Sequence, residues 1–536
     1  MSQTPWYHGV IYQIYPRSFY DTTGNGVGDL RGIFEKLPYI ASLGVDAVWI
    51  SPFFQSPMKD FGYDVSDYCA PDPLFGTLDD VQAVIDRAHE LGLKIMFDMV
   101  WAHTSDQHPW FIESRSNKDN DKSDWYIWRD AKPDGTAPNN WLSYFGGPAW
   151  TWDSRREQYY LHQFLTSQPQ LNFWNPDVKR AAFDTARFWL DRGVDGFRLD
   201  VAHAYLVDKD LRDNPARISG ATSDIPSSNP MSRQVRLYNA NIPENMNVIR
   251  DIRALMNEYD NRCALAEAGG EDSEACAASY ANGDDKLHLA YSFGLVGSRM
   301  TAPVVRGVIE KIEQVIGAGR ICNATSNHDF KRAISRYTDV ETHFDAVARL
   351  NMALGLTLRG SYCLYQGEEL GLPQAELSFD QLQDPYDKML YPLHVGRDGC
   401  RTPMVWNHDK LHGGFTSSHS PWLPVPDAHC ARAVDVQETQ QNSILNAYRH
   451  FLNFRKNSAI LLRGAINIIH ADDNILVYER ILNNKKIICA FNICDKQNSF
   501  PLNDNVMLRD DLSHGVVQDG AQISFAPYGS GIFESK

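Results

Sequence analysis

Residues 194–200 read VDGFRLD. The run opens apolar, as a buried strand does, and closes on Arg198 and Asp200 with Leu199 between them. Side chains alternate along a strand, so Arg198 and Asp200 share a face. A cation beside a carboxylate keeps that carboxylate ionised, and an ionised carboxylate can attack carbon. An Arg–Asp pair at a strand end also serves as a plain salt bridge, and spacing alone does not separate the two roles. The rest of the chain does, because polar residues close the strands on both sides as well.

Outward from this stretch, strand-like and helix-like segments alternate. Strands are predicted over 10–15, 47–50, 94–100, 194–200, 263–268, 287–293, 321–326 and 361–366. Helices are predicted over 33–43, 78–91, 177–192, 245–259, 302–316, 344–358 and 444–456, with none assigned between 268 and 287. The helix over 78–91 meets Gly92, a natural residue for the position just past a helix. This alternation predicts an α/β protein built on a parallel (β/α)8 barrel.

Two stretches break the pattern. Residues 104–172 are rich in Trp, Asp, Asn, Pro and Gly without a period. They are too long for a plain loop and read as a small domain inserted after strand three. Residues 465–470, 475–481, 486–493 and 522–525 are β-like runs between Asn, Asp and Gly turns, which predicts a C-terminal antiparallel β-domain. The expected division is a barrel over 1–103 and 173–459, an insertion over 104–172 and a β-domain over 460–536. The polar segment 202–243 is expected to lay short helices over the site.

Composition narrows the classes. A chain of 536 residues that is 43% hydrophobic can bury a large core. A formal charge of -16 argues against nucleic acid or an anionic membrane as the main partner. No apolar run approaches membrane-spanning length, and the start lacks the basic and apolar regions of a signal peptide. The nine cysteines are odd in number and form no CxxC, which suits free thiols in a reducing compartment. The expectation is a cytoplasmic protein acting on a neutral small molecule.

In such barrels the chemistry sits at the C-terminal ends of the strands. Strand three ends at Asp98, with His103 just beyond. Strand four ends at Arg198 and Asp200, strand five at Glu267, and strand seven runs into His328 and Asp329. One carboxylate at a strand end is ordinarily structural. Four strands delivering carboxylates to one rim are hard to explain that way, because like charges repel. Glu267 is approached through Ala264, Leu265 and Ala266, apolar surroundings expected to raise its pKa. Asp200 beside Arg198 is expected to be pushed down. Such divergent environments separate a proton donor from a nucleophile.

These motifs resemble the α-amylase family of glycoside hydrolases, family 13. Its four regions stand here as DMVWAH (98–103), GFRLD (196–200), ALAEA (264–268) and SNHD (326–329). The likeness is closest to the branch of α-glucosidases and oligo-1,6-glucosidases. It shows at WYHGVIYQIYPRSF (6–19), FGYDVSDY (61–68), HTSDQHPWF (103–111), QPQLNFWNP (168–176) and GRDGCRTPMVW (396–406). The resemblance implies a retaining, exo-acting α-glucosidase that cleaves short α-1,4- or α-1,6-glucosides such as maltose, isomaltose or sucrose, with transglucosylation as a side activity. It implies no cofactor for catalysis. Asp200 would be the nucleophile, Glu267 the general acid/base and Asp329 the third carboxylate. Arg198 would orient Asp200, with Asp98 as its support. His103 and His328 would bond hydroxyls of the first sugar, Tyr63 would stack on its ring, and Asp60 with Arg397 would grip its 4-OH. His203 and Tyr205 would face the acceptor. A glycosidic oxygen leaves poorly without a proton donor, and retaining enzymes hold their two carboxyls ~5–5.5 Å apart.

The chain departs from the family pattern in places. Ala102 stands where Asn is usual, Gln170 where Asp is usual, and Ala266 where Gly is usual. After Asp200 come Val201, Ala202 and His203. In the family Val there goes with α-1,6 activity and Thr with α-1,4, whereas the surrounding motifs look like α-1,4-acting bacterial enzymes. A transglucosylase or sucrose-isomerase-type enzyme is the alternative on the same scaffold. No RLDRY-like segment of the kind isomerases carry is present, so hydrolysis leads. An inactive transporter subunit would carry a membrane span and lack the carboxylates.

DTTGNGVGD (21–29) has oxygen ligands on alternate residues with glycines at the turns, which resembles a Ca²⁺ loop. Relatives carry a cation in the matching loop. The set here would be Asp21, Thr23, Asn25, the Val27 carbonyl and Asp29, holding a structural Ca²⁺ or Mg²⁺. The plainer reading is a Gly-rich turn.

Overall fold

The computed structural model describes residues 5–218, 225–317, 319–337, 342–393, 396–502 and 506–535. Eight strands close into a parallel barrel: β1 (Val10–Ile14), β2 (Ala47–Ile50), β3 (Lys94–Met99), β4 (Gly196–Leu199), β5 (Cys263–Ala266), β6 (Leu289–Tyr291), β7 (Ile321–Ala324) and β8 (Ser361–Tyr365). They neighbour one another in chain order, and β8 pairs with β1 to close the ring. Every residue of β1, β2, β4 and β5 is buried, as expected for strands covered on both sides.

Eight helices surround the barrel: α1 (Leu30–Leu43), α2 (Leu78–Glu90), α3 (Pro176–Leu190), α4 (Asn245–Met256), α5 (Ser273–Ala281), α6 (Ala302–Val315), α7 (Phe344–Thr357) and α8 (Ile444–Asn457). Their starts are set by local chemistry. Thr77 and Asp80 form a reciprocal capping box on α2, and Asn175 caps α3, which has Pro176 at its first position. Helix α5 corrects the sequence reading, which left that stretch unassigned. Its SEACAASYA is built of small residues with almost no polar face, so periodicity gave no signal. Asp272 starts it by accepting from the Ala275 N–H at 3.1 Å. Strand β6 is also shorter than predicted.

Between β3 and α3 lie the helix Pro109–Ser116 and a three-stranded antiparallel sheet of Trp128–Arg129, Trp150–Asp153 and Gln158–Leu161. A core of Ile127, Trp141, Ala149, Trp150, Leu161 and Val207 fills this unit. Among the described residues of 202–243 the short helices are two 3-10 turns, Ala202–Ala204 and Pro230–Arg233. Residues 219–224 of that segment lie outside the described ones.

Past α8 the chain forms a seven-stranded sheet among the described residues: β9 (Ala465–Ala471), β10 (Ile475–Leu482), β11 (Lys485–Asn492), β12 (Asn498–Pro501), β13 (Val506–Leu508), β14 (His514–Asp519) and β15 (Gln522–Ser535). The long β15 pairs with β11, β12, β13 and β14, all antiparallel. The buried Arg480 fixes this sheet to the barrel. It donates to the carbonyls of Thr357 at 2.6 Å and Leu358 at 3.0 Å, where α7 ends with unpaired acceptors.

Candidate active site

Barrel register brings the charged residues together. Asp98 of β3 lies opposite Arg198 of β4, and Leu265 of β5 flanks Arg198 on the other side. The Arg198 guanidinium is buried and joins three carboxylates. Its Nη1 donates to Asp98 Oδ1 at 2.9 Å and to Asp200 Oδ1, and its Nη2 forms an ion pair with Glu267 Oε2 at 2.8 Å. Asp200 and Glu267 therefore sit on neighbouring nitrogens of one planar fork. The backbone repeats the pairing: Glu267 donates its N–H to the Leu199 carbonyl at 3.0 Å, and Ala202 donates to the Glu267 carbonyl at 2.9 Å.

Val201 gives this turn a strained residue. Its φ is +45°, in the left-handed region that β-branched residues avoid, and its N–H donates to Glu267 Oε2 at 2.9 Å. Such a conformation costs on the order of 1–3 kcal/mol and persists where surrounding contacts impose it. Here it aims a backbone donor at the Glu267 carboxylate.

The electrostatics correct one expectation. Burial is the largest influence on Asp200 and pushes its carboxyl well above the usual range. Arg198 pulls the other way, while Glu267 and Asp98 add to the upward push. Burial likewise lifts Asp98 to about 6 against Arg198. One cation shared by three carboxylates does not hold Asp200 low by itself. Glu267 is approached through the buried Ala264, Leu265 and Ala266, and its Oε2 meets Arg198 and the Val201 N–H.

A second cationic centre lies across the rim. Arg397 Nη2 donates to Asp60 Oδ1 at 3.0 Å, its Nη1 to Asp329 Oδ1 at 3.2 Å, and its Nε to Asp384 Oδ2 at 2.6 Å. Arg401 Nη2 donates to Asp329 Oδ1 at 2.9 Å. Burial works against ionisation of Asp329, yet His328, Arg397 and Arg401 outweigh it and hold the carboxyl well below the usual range. His328 itself is pushed down to about 3 by burial, so near neutrality the lasting positive charges are the two guanidiniums. Asp60, by contrast, is lifted to about 6 by burial despite Arg397.

One cavity of about 1330 Å³ gathers most of the predicted residues. Asp60, Tyr63, His103, Asp200, His203, Glu267, Asp329 and Arg397 all line it. Arg198 and His328 stand behind its wall, 3% and 0% exposed. The His328 ring stacks on Tyr63 at 5.5 Å, its Nε2 meets the Tyr63 hydroxyl at 2.7 Å, and its Nδ1 meets the Gln13 amide at 2.7 Å. His103 Nε2 lies 2.9 Å from the Tyr63 carbonyl, and burial keeps the ring neutral, its pKa lowered to about 4. His203 Nδ1 accepts from the Gly269 N–H at 3.3 Å, which leaves the proton on Nε2. That atom is buried and has no partner among the described residues. Tyr205 is fully buried.

Sequence reasoning missed Gln168, Asp384 and Arg401. Gln168 donates to Asp60 Oδ2 at 3.0 Å. Arg401 follows Arg397 by four residues on a short helix, a spacing that places both on one side and was open to reading. Asp384 stands in a connection with no strand end to mark it.

The residues 21–29 lie apart, and none of the predicted cation ligands lines the cavity. Asp21 accepts from the N–H groups of Thr23, Gly24 and Gly26 at 2.8–2.9 Å and from the hydroxyls of Thr23 and Thr416. Asp29 caps α1 at Gly32 N–H, 2.6 Å, and accepts from Thr22. Among the described residues no group of three or more His, Cys, Asp or Glu could hold a metal. A cation here would rest on two carboxylates and neutral oxygens, a donor set whose chemistry fits a hard divalent ion.

Comparison with known proteins gives a consistent picture. The model of the alpha amylase catalytic domain matches residues 13–464. A probable alpha-glucosidase of Rhizobium meliloti (strain 1021) is 51% identical over 498 residues, covering 92% of this chain and 90% of the relative. An oligo-1,6-glucosidase of Heyndrickxia coagulans is 34% identical over 565 residues, covering 98% and 99%. The crystal structure of an alpha-glucosyl transfer enzyme, XgtA, superposes with a TM-score of 0.97 at 46% identity, covering all of both chains.

Proposed function

The chain belongs to the alpha-amylase family of glycoside hydrolases, and on that premise we propose that Asp200 is the nucleophile and Glu267 the general acid/base of a retaining, exo-acting α-glucosidase. The observation that carries this reading is the Arg198 fork, which ties the two carboxylates together on the wall of one cavity. In the first step Glu267 gives a proton to the glycosidic oxygen while an Asp200 oxygen bonds to C1, and the aglycone leaves. In the second, Glu267 takes a proton from water as the water oxygen bonds to C1, and glucose leaves with Asp200 restored. The proton of Glu267 and the charge of Asp200 come from one cluster, whose resting state Arg198 shares. Asp60, Arg397 and Asp329 take the hydroxyls of the first sugar and close the site behind it, which makes the action exo. Tyr63 and His103 complete that pocket, and His328 holds Tyr63 from behind. His203 lines the cavity on the side of the leaving or incoming group.

The substrates are short α-glucosides, and no cofactor takes part in catalysis. Asp21, Thr23, Asn25, the Val27 carbonyl and Asp29 would hold a structural Ca²⁺ or Mg²⁺. A cytoplasmic setting is supported by nine cysteines that are all free. Among the described residues no helix is long and apolar enough to cross a membrane. Transglucosylation is the second reading, favoured by the likeness to the alpha-glucosyl transfer enzyme over the whole chain.

The test is kcat/KM on maltose, isomaltose, sucrose and an aryl α-glucoside, with free glucose and transfer products both counted. The family motifs favour maltose over isomaltose, and Val201 favours the reverse. Hydrolysis of none of the four would sink the proposal. Transfer products exceeding free glucose would put the second reading first.

A further inference from the structure

Arg397 lies between two short helices, Pro385–Leu390 and Asp398–Arg401. The second helix start is capped by Asp387 of the first, while Asp398 of the second holds the approach to the first, whose own start is capped by Asp384 accepting from the Tyr386 N–H at 3.2 Å. Asp387 of the first accepts from the Arg397 N–H through Oδ1 at 2.7 Å and from the Asp398 N–H through Oδ2 at 3.0 Å. Asp398 of the second accepts through Oδ2 from the N–H groups of Gln383 at 2.6 Å and Asp384 at 2.8 Å. The unpaired N–H groups of a helix start are ordinarily met by a side chain just ahead of the same helix, as Asp384 meets Tyr386, whereas the second helix takes its cap from Asp387 of the first. The exchange seen here locks two helices into one unit. Both carboxylates are buried, and Gly396 makes the room. A Cβ at that position would lie 1.2 Å from Asp387 Oδ1 and 1.9 Å from its Cγ.

The locked unit holds Arg397 twice. Asp387 pins its backbone, while Asp384 takes its Nε at 2.6 Å and its Nη2 at 2.7 Å in a bidentate pair. What remains of the guanidinium points to Asp60 and Asp329 at the closed end of the cavity.

We propose that this reciprocal pair of carboxylate-to-backbone contacts is a latch that sets the position of Arg397, so that Asp387, Asp398 and Gly396 are positioning residues for sugar binding. The proposal rests on the reading that Arg397 grips the first sugar. The two contacts are chemically unequal, and the inequality makes the latch testable. Asp387 spends both oxygens, one on each N–H. Asp398 carries both of its bonds on Oδ2, and its buried Oδ1 has no partner among the described residues. An amide at 387 must turn an NH2 group toward a backbone N–H. An amide at 398 keeps a carbonyl oxygen for both donors and puts its NH2 where nothing is lost.

The experiment measures kcat and KM on an aryl α-glucoside for Asp387→Asn, Asp398→Asn, Gly396→Ala and Arg397→Ala. Asp387→Asn and Gly396→Ala are expected to raise KM about tenfold with kcat within about twofold, and Asp398→Asn to raise KM less than about threefold. Partial unfolding would lower kcat per mole of protein and leave KM alone, so the split distinguishes positioning from folding. Equal effects at 387 and 398 would overturn the latch. So would an unchanged KM in Asp387→Asn and Gly396→Ala while Arg397→Ala raises it. An unchanged KM in Arg397→Ala would remove the grip itself, and the latch with it.

Discussion

At the scale of single residues, the centre is a shortage of positive charge. Asp98, Asp200 and Glu267 share Arg198, and burial lifts Asp200. A carboxylate raised in the folded state costs stability wherever it is ionised. Asp200→Asn keeps the volume and removes both the charge and the nucleophile. Turnover is expected to fall by about a thousandfold or more, with the thermal midpoint not lowered. Glucose release near the normal rate would end the assignment of Asp200. The carboxylates of this cluster were legible in the sequence because each ends a barrel strand. Their charge balance was not, because it depends on Asp98 lying opposite Arg198, a register that no local pattern encodes.

At the scale of elements, legibility followed hydrophobic contrast. Helix α2, with a capping box and a clear apolar face, was read almost to its ends, whereas α5, made of small residues, was not read at all. The same limit hid Asp384, whose partner Arg397 is thirteen residues away across a connection without periodicity. The 21–29 loop poses the opposite problem, since its pattern suits both a cation and a self-capped turn. With a cation, chelation by EDTA is expected to lower the melting midpoint by a few degrees and added Ca²⁺ to restore it. A midpoint indifferent to both would mean that the Thr22, Thr23 and Thr416 donors hold the loop unaided.

At the scale of the whole molecule, barrel, insertion and C-terminal sheet were legible from the order of segments. The sheet holds seven strands where four were expected, because β12, β13 and β14 are short and largely exposed and carry little apolar pattern. Buried and half-buried imidazoles give the molecule a pH signature. His8, His103, His108, His288, His328 and His429 are lowered to about 3 or 4, chiefly by burial. In the unfolded chain they titrate near 6.5. Between those limits the unfolded chain binds more protons, so stability present above pH 6.5 is lost as the pH falls. Asp60, Asp98 and Asp387, lifted to about 6 or 7, and Asp64, Asp200, Glu368, Glu369 and Asp398, also raised by burial, oppose this, but His162, His203 and His514 are lowered as well and keep the imidazoles more numerous. The urea midpoint is therefore expected to be lower at pH 5 than at pH 7.5. An equal or higher midpoint at pH 5 would mean that these rings are not held neutral. The barrel interior carries one more consequence. Cys263, Cys322 and Cys363, on β5, β7 and β8, are fully buried in one cluster with Ile11, Trp49 and Met96. Cys69, Cys276, Cys430 and Cys494 are partly open. A thiol-specific dye can reach the second group in the folded protein and the first only when strands part. The chain thus contains its own stopwatch for barrel opening, with no label to be engineered in.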